Sequence, residues 1–397
     1  MPFVQAKCPE CGGILAVDNV QKAAICQFCG KPYIVEEAVN NYVTYNVTNN
    51  VTNQNFGEGA VVNIYEHKPK DFVIEGGVLK KYKGESLTPV IPEGVVAIKG
   101  GVFRDSIITA VTFPSTLKEL RFIEKDDEKI GPFYGCKYLK EIILPEGLKK
   151  ISAGAFSECE SLVSVIIPNS VTSIGENAFW ECKSLASITI PNGITRIEPW
   201  TFYGCTTLDS ITFPDSVTSI DDYAFLECTN LTSVTIPNSV REIGDSAFSG
   251  CTSLATITIP NSVREIGDSA FYGCTNLASI TFPEGIHKIG KNAFWRCTSL
   301  TTITIPNSVR EIGDSAFYGC EKLTSVTIPK NLKTKVFYNT PWYDEREKIV
   351  NEQERIANKQ KRLDELKSLG VCTHCGGIFV RGIFSTKCST CGRKKDY

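Results

Sequence analysis

The sequence predicts a β-rich solenoid, an arc of about eleven stacked coils with a small four-cysteine module at each end and a charged helix before the second. Three observations carry this. Nine cysteines, Cys136, Cys159, Cys182, Cys205, Cys228, Cys251, Cys274, Cys297 and Cys320, recur every 23 residues. Prolines keep the same step from Pro145 to Pro329, with Pro92 and Pro114 extending the series on the N-terminal side. The other eight cysteines form C-x2-C pairs, two near each terminus. A strict period in rare residues marks stacked structural repeats.

Residues 1–38 hold Cys8, Cys11, Cys26 and Cys29, spaced C-x2-C-x14-C-x2-C. Two such pairs can bring four thiolates to the corners of a tetrahedron, which suits structural Zn²⁺. Gly12 and Gly30 follow the second cysteine of each pair, where a metal-binding knuckle needs a tight turn. Redox-active pairs are the alternative, but no βαβ pattern surrounds them. Residues 39–70 are rich in Asn with interspersed Val and Tyr, and read as an extended linker.

The solenoid with its caps spans 71–342. Residues 71–82 read as a hairpin turning at Gly76-Gly77 that covers the first edge, because an open edge exposes unpaired backbone groups. In a full coil, Leu231, Val234 and Ile236 form the inward side of a short strand that Pro237 ends. Val240 and Ile243 point inward from an irregular return segment, Gly244 permits a turn, and Ala247 and Phe248 seal the far side. One coil cannot bury these residues, so stacking must make the core. An eight-residue insertion containing Glu124–Lys129 reads as a solvated loop. The cysteine column reads as small buried hydrophobes. Phe337, Tyr338, Pro341 and Trp342 form the closing cap.

Residues 343–369 read as a charged helix with a narrow stripe, Ile349, Ile356, Leu363 and Leu366, docked on the solenoid or solvated as a spacer in preference to a coiled-coil dimer, since fewer than four heptads are present. Residues 370–397 repeat the metal motif with Cys372, Cys375, Cys388 and Cys391, for two structural Zn²⁺ sites in all.

The terminal modules resemble bacterial zinc ribbons, on Cys8-Pro9-Glu10-Cys11-Gly12 and Cys26-Gln27-Phe28-Cys29-Gly30; Cys372-Thr373-His374-Cys375-Gly376 lacks the proline. The coil pattern C-x2-L-x2-I-x-I-P-x2-V-x2-I-G-x2-A-F over residues 88–335 resembles the BspA-like leucine-rich repeat, the 23-residue bacterial class. That resemblance implies a leucine-rich repeat arc with parallel strands on its concave face, a role in binding proteins or surfaces, and no catalytic residues.

Function is therefore expected to be that of a non-catalytic scaffold for a protein partner. Only three histidines are present, and no phosphate loop, HExxH or dinucleotide motif appears. Tyr134, Trp180, Tyr203, Tyr272, Trp295 and Tyr318 recur after the core Phe and are the candidate partner-binding residues; shielding of the next coil is the plainer role for them. Outward Ser and Thr on the strands offer a flat hydroxyl face. The alternative is nucleic-acid contact through the basic C-terminal module, by Lys387, Arg393, Lys394 and Lys395. With a net charge of −2, the chain as a whole shows no pull toward polyanions. No membrane span and no signal peptide are read from the sequence, and the expected location is cytoplasmic.

Overall fold

The computed structural model describes residues 71–369 apart from 331 and 333, residues 374 and 393, and the backbone of six short terminal strands. The chain divides into two compact units, residues 1–65 and 66–397. In the first, Phe3–Lys7 pairs antiparallel with Ile14–Asp18, and Ala23–Ile25 with Pro32–Ile34. Cys8 and Cys11 fall between the strands of the first pair, Cys26 and Cys29 between those of the second. The cysteines themselves lie outside the described residues, as does the predicted linker.

The second unit is a β-solenoid of about eleven turns. Strands from Glu141–Ile143 to Ser325–Thr327 stack as one nine-stranded parallel sheet, one strand per coil. Each strand of Ser/Thr–Ile/Val–Thr turns its middle residue into the core and its flanking hydroxyls to solvent, as period-two side-chain direction requires. The return segment is more ordered than its sequence suggests. Residues such as Glu242–Ile243 and Glu265–Ile266 form two-residue strands that pair in register as a second parallel ladder, split into two six-stranded sheets between Ser173–Ile174 and Arg196–Ile197. Two residues are too few for an alternation to show.

Both ladders close on one continuous core. Its spine is a phenylalanine stack from Phe103 through Phe133, Phe156, Phe179, Phe202, Phe225, Phe248, Phe271, Phe294 and Phe317 to Phe337, with neighbouring rings 4.8–5.6 Å apart. The nine repeat cysteines are free and buried beside it. Each thiol donates to the carbonyl of the phenylalanine one coil behind, as Cys159 Sγ does to Phe133 O at 3.2 Å.

The ends are capped. Phe72–Glu75 and Val78–Tyr82 form the predicted hairpin, and Val78–Leu79 pairs with Ala97–Ile98 of the first coil. At the far end Phe337 stacks on Phe317 and Trp342 packs edge-on against Phe337. Thr340 caps helix α1, Pro341–Ser368, by accepting the Tyr343 N–H at 3.2 Å. Pro341 takes the first helical position, where its missing N–H costs nothing.

The predicted loop of the insertion is instead a β-hairpin, Ile123–Lys125 with Glu128–Ile130. Asp126 and Asp127 both take left-handed backbone, φ 54° and 66°, the pair of conformations that a tight two-residue turn needs. Near the C-terminus Phe379–Arg381 pairs with Thr386–Cys388, Phe379 opposite Cys388.

A candidate interaction edge on the solenoid

Each coil turns from its short return strand into the core phenylalanine, and these turns stack into an edge. The backbone binds coil to coil there: Phe225 N–H donates to Ala247 O, and Glu227 N–H to Ser249 O, both at 2.8 Å. The phenylalanine points inward, so the residue after it sits on the outer side of the edge, half-buried in most coils, buried at Ser157 and Ser249 and exposed at Tyr272.

The six predicted aromatics occupy that column in separate groups. Tyr134 stands apart from the other five. Its hydroxyl donates to Glu158 Oε1 at 2.8 Å, and the Arg104 guanidinium lies 5.1 Å from its ring centre. Burial and the Glu158 contact hold its phenol well above the usual range. Trp180 and Tyr203 stack at 5.6 Å. Leu226 and Ser249 then interrupt the column. Tyr272, Trp295 and Tyr318 continue it, at 6.2 and 4.3 Å, and Tyr338 extends it onto the cap.

Two aromatics that the sequence reading passed over complete the first group. Trp200 and Tyr223 lie two residues before Phe202 and Phe225, both with φ 59°. Elsewhere this left-handed position holds Gly154, Asn177, Ser246, Ser269, Asn292 and Ser315, residues that are glycine or short and polar. The Trp200 and Tyr223 rings stack face to face at 4.0 Å, and Tyr203 meets Trp200 edge-on at 5.5 Å. Their sequence signal was the break in the column: a Trp and a Tyr where neighbouring coils carry Asn or Ser.

The same two coils break a second column. Gly175, Gly244, Gly267, Gly290 and Gly313 follow the inward Ile in other coils, but here Glu198 and Asp221 stand in that place. They bring charge beside the rings. Arg196 reaches Asp221 at 2.6 Å and Glu198 at 3.9 Å, and Asp221 raises the guanidinium's affinity for its proton. Burial pushes the Glu198 carboxyl up, and Arg196 opposes it. Tyr203 Oη contacts Glu227 at 3.5 Å, and Lys183 pairs with Glu181 at 3.0 Å. Around the four rings stand Glu181, Glu198, Asp221, Asp222 and Glu227, against Lys183 and Arg196, both already paired. The rim is negative.

The strand face is different in kind. Thr189, Thr212, Thr235, Thr258, Thr281, Thr304 and Thr327 form an exposed, uncharged row. Among the described residues no group of three His, Cys, Asp or Glu could hold a metal. Of the predicted zinc ligands only Cys388, closing the strand Thr386–Cys388, has a described backbone. Of the predicted nucleic-acid contacts, Lys387 sits in that strand and Arg393 is exposed; Lys394 and Lys395 lie outside the described residues. No helix among the described residues is long and apolar enough to cross a membrane.

A search of curated proteins gives no match. Among solved structures, the chain is similar to a leucine rich cell surface protein from Faecalibacterium prausnitzii A2-165, with 28% identity, coverage of 68% of this chain and 90% of that one, and a TM-score of 0.44. A leucine-rich repeat protein from Bacteroides ovatus ATCC 8483 gives 28% identity, the same coverages and a TM-score of 0.42. The T. pallidum leucine-rich repeat protein gives 24% identity, coverage of 69% and 97%, and a TM-score of 0.38. The family model for the BspA type leucine rich repeat region matches residues 129–254 and 218–342, together more than half of the chain. By that match, and by the coil register that underlies it, the chain belongs to the BspA-type leucine-rich repeat family.

Proposed function

We propose that the chain is a non-catalytic scaffold that takes a protein partner on the acidic aromatic patch of Trp180, Trp200, Tyr203 and Tyr223. Repeat regions of this type are generally surface or interaction scaffolds. One observation carries the choice of site: Trp200 and Tyr223 hold left-handed backbone. A bulky residue there costs on the order of 1–2 kcal/mol. The interior gains nothing in return, because Phe202 and Phe225 already fill the core of those coils. The rings are kept for what they present outward. Stacked aromatics are common anchors of interfaces, and the surrounding carboxylates select a basic segment of the partner.

The test restores the column's own residues. Trp200→Asn with Tyr223→Ser should fold as well as the wild type and lose a partner recovered by pull-down from the source cell after nuclease treatment. Thr235→Ala with Thr258→Ala, on the strand face, should keep that partner. Equal recovery by both variants, or recovery that disappears with nuclease, overturns the assignment.

The terminal cysteines we assign to two structural Zn²⁺ sites, Cys8, Cys11, Cys26 and Cys29 in one and Cys372, Cys375, Cys388 and Cys391 in the other. The strand pairing supports this. Each N-terminal pair lies between two antiparallel strands, and the C-terminal hairpin sets Cys388 opposite Phe379, four residues after Cys375. Zinc would supply cross-linking and no chemistry. Metal analysis should find two zinc ions per chain, and Cys11→Ser should remove one; metal-free protein with unchanged folding refutes the assignment. Zinc thiolates and the free repeat thiols both suit a reducing compartment.

A further inference from the structure

Helix α1 runs for 28 residues, about 42 Å, and its first turn is held by Trp342 against Phe337, Tyr343 against Tyr338 and the Trp342 N–H on Leu323 O. From Asp344 to Ser368 every described side chain is exposed except Glu347, Leu363 and Leu366. Ile349 and Ile356 are 52% and 57% exposed, and with Leu363 they form a stripe with a seven-residue step. An apolar stripe left in water on so long a helix calls for a cover.

The helix itself describes that cover. Residues 341–354 carry five acids against two bases, and residues 355–368 five bases against two acids, so the halves are −3 and +3. The helix dipole favours acids early and bases late, but its effect falls off within the first and last turns. Glu352, Glu354, Lys359, Lys361 and Arg362 lie in the middle, beyond its reach. The stripe is symmetric about Ile356, with Ile349 and Leu363 seven residues to either side. Turn a second copy antiparallel about Ile356, and Ile349 of each helix meets Leu363 of the other. Glu352 then stands level with Lys359 across the interface, twice over, since the two numbers are nearly symmetric about 356. In a parallel pair the same residues would face their own kind.

We propose that α1 is a self-association element through which two copies of this chain pair antiparallel across Ile356, with the acidic half of each helix along the basic half of the other. Contact over residues 349–366, about 26 Å of helix, makes an interface at the small end of specific ones, so the dimer is weak and concentration-dependent.

Sedimentation equilibrium of the full chain over a concentration series tests this. The wild type should shift from monomer to dimer, and Ile356→Asp should stay monomeric. Glu352→Lys and Lys359→Glu should each weaken the dimer by about tenfold, two charge pairs being replaced by repulsion. The double variant Glu352→Lys/Lys359→Glu exchanges the charges and should recover the affinity. Glu352 also holds Arg355 within its own helix at 2.8 Å. Lys359→Glu leaves that pair intact and serves as the cleaner single change. Far-ultraviolet circular dichroism should show the helix intact in every variant. A wild type that remains monomeric makes α1 a solvated spacer only. A dimer that survives Ile356→Asp places the interface elsewhere, and a double variant as weak as the singles rules out the antiparallel register. Each of these results overturns the proposal.

Discussion

Alkaline pH should unfold the solenoid unusually steeply, and the cysteine column sets the magnitude. Burial holds all nine repeat thiols above the ordinary range, with Cys136, Cys274 and Cys320 pushed up to about 12. Unfolded thiols ionise near ~8.5. A raised folded-state value means that the stabilisation is fully present below the unfolded value. It is lost as pH rises toward the folded one, because only the unfolded chain releases protons in that window. One unit above the unfolded value, each thiol costs about 1.4 kcal/mol. Across nine thiols that is about 12–13 kcal/mol, comparable to the whole stability of an ordinary domain at ~5–15 kcal/mol. Unfolding should therefore set in between about pH 9 and 10. The assay is urea unfolding, followed by circular dichroism at a series of pH values under reducing conditions. Tyrosines and lysines also titrate there, so the informative quantity is a difference in slope. Replacing Cys182, Cys228 and Cys274 by Ala should lower the dependence by about three protons, roughly 4 kcal/mol per pH unit. Equal slopes in the two proteins would mean that the thiols ionise in the folded state, and would refute the reasoning.

Two further substitutions probe the stack. Phe248→Ala opens the spine between Phe225 and Phe271, whose rings lie 5.2 and 5.5 Å away, and should cost about 3–5 kcal/mol. Because each coil touches only its neighbours, the break should also split urea unfolding into two transitions with smaller slopes; one sharp transition with an unchanged slope would count against it. Gly267→Ala should destabilise by about 1–3 kcal/mol in thermal melts, since its Cβ would come within 2.5 Å of Gly244 C and 2.6 Å of Asp245 N in the preceding coil. A melting temperature equal to that of the wild type would show that adjacent coils can part.

Much of this fold could be read from spacing alone, because a repeat states each structural demand nine or ten times over. Leu231, Cys228 and Phe248 each stand for a column whose members are all buried, and the Val234 column is buried up to the half-buried Val326 of the last strand, so one coil explains the rest. The second parallel ladder escaped because its strands are two residues long. The hairpin at Asp126-Asp127 escaped because acidic residues read as solvent long before they read as left-handed backbone. The proposed partner site was half legible. An aromatic after the core Phe is visible as a pattern, yet the same pattern names Tyr134, which pairs with Glu158 and Arg104 and stands apart from the patch. Trp200 and Tyr223 depend on a dihedral angle, and no single residue displays its φ.

The departures are informative because of where the stack places them. The base of the inserted hairpin abuts the next coil, with Lys129 O beside Gly154, and Lys129 Nζ reaches on to Glu176 at 2.6 Å. Asn177 N–H then bonds Pro199 O, and Trp200 N–H bonds Asp222 O. Insertion, Trp180, Glu198, Trp200, Asp221 and Tyr223 thus follow one another along a single edge, over consecutive coils. Consensus residues at these positions would serve the stack equally well, as later coils with Gly244, Ser246, Gly267 and Ser269 demonstrate. Here the nine-stranded face is a field of Ser and Thr from Ser187–Thr189 onward, with Glu141, Ile143 and Ile166 in its first two strands, while the edge gathers the insertion, the left-handed aromatics and the extra carboxylates. That grouping of left-handed aromatics and carboxylates along one edge is what supports the proposed recognition surface.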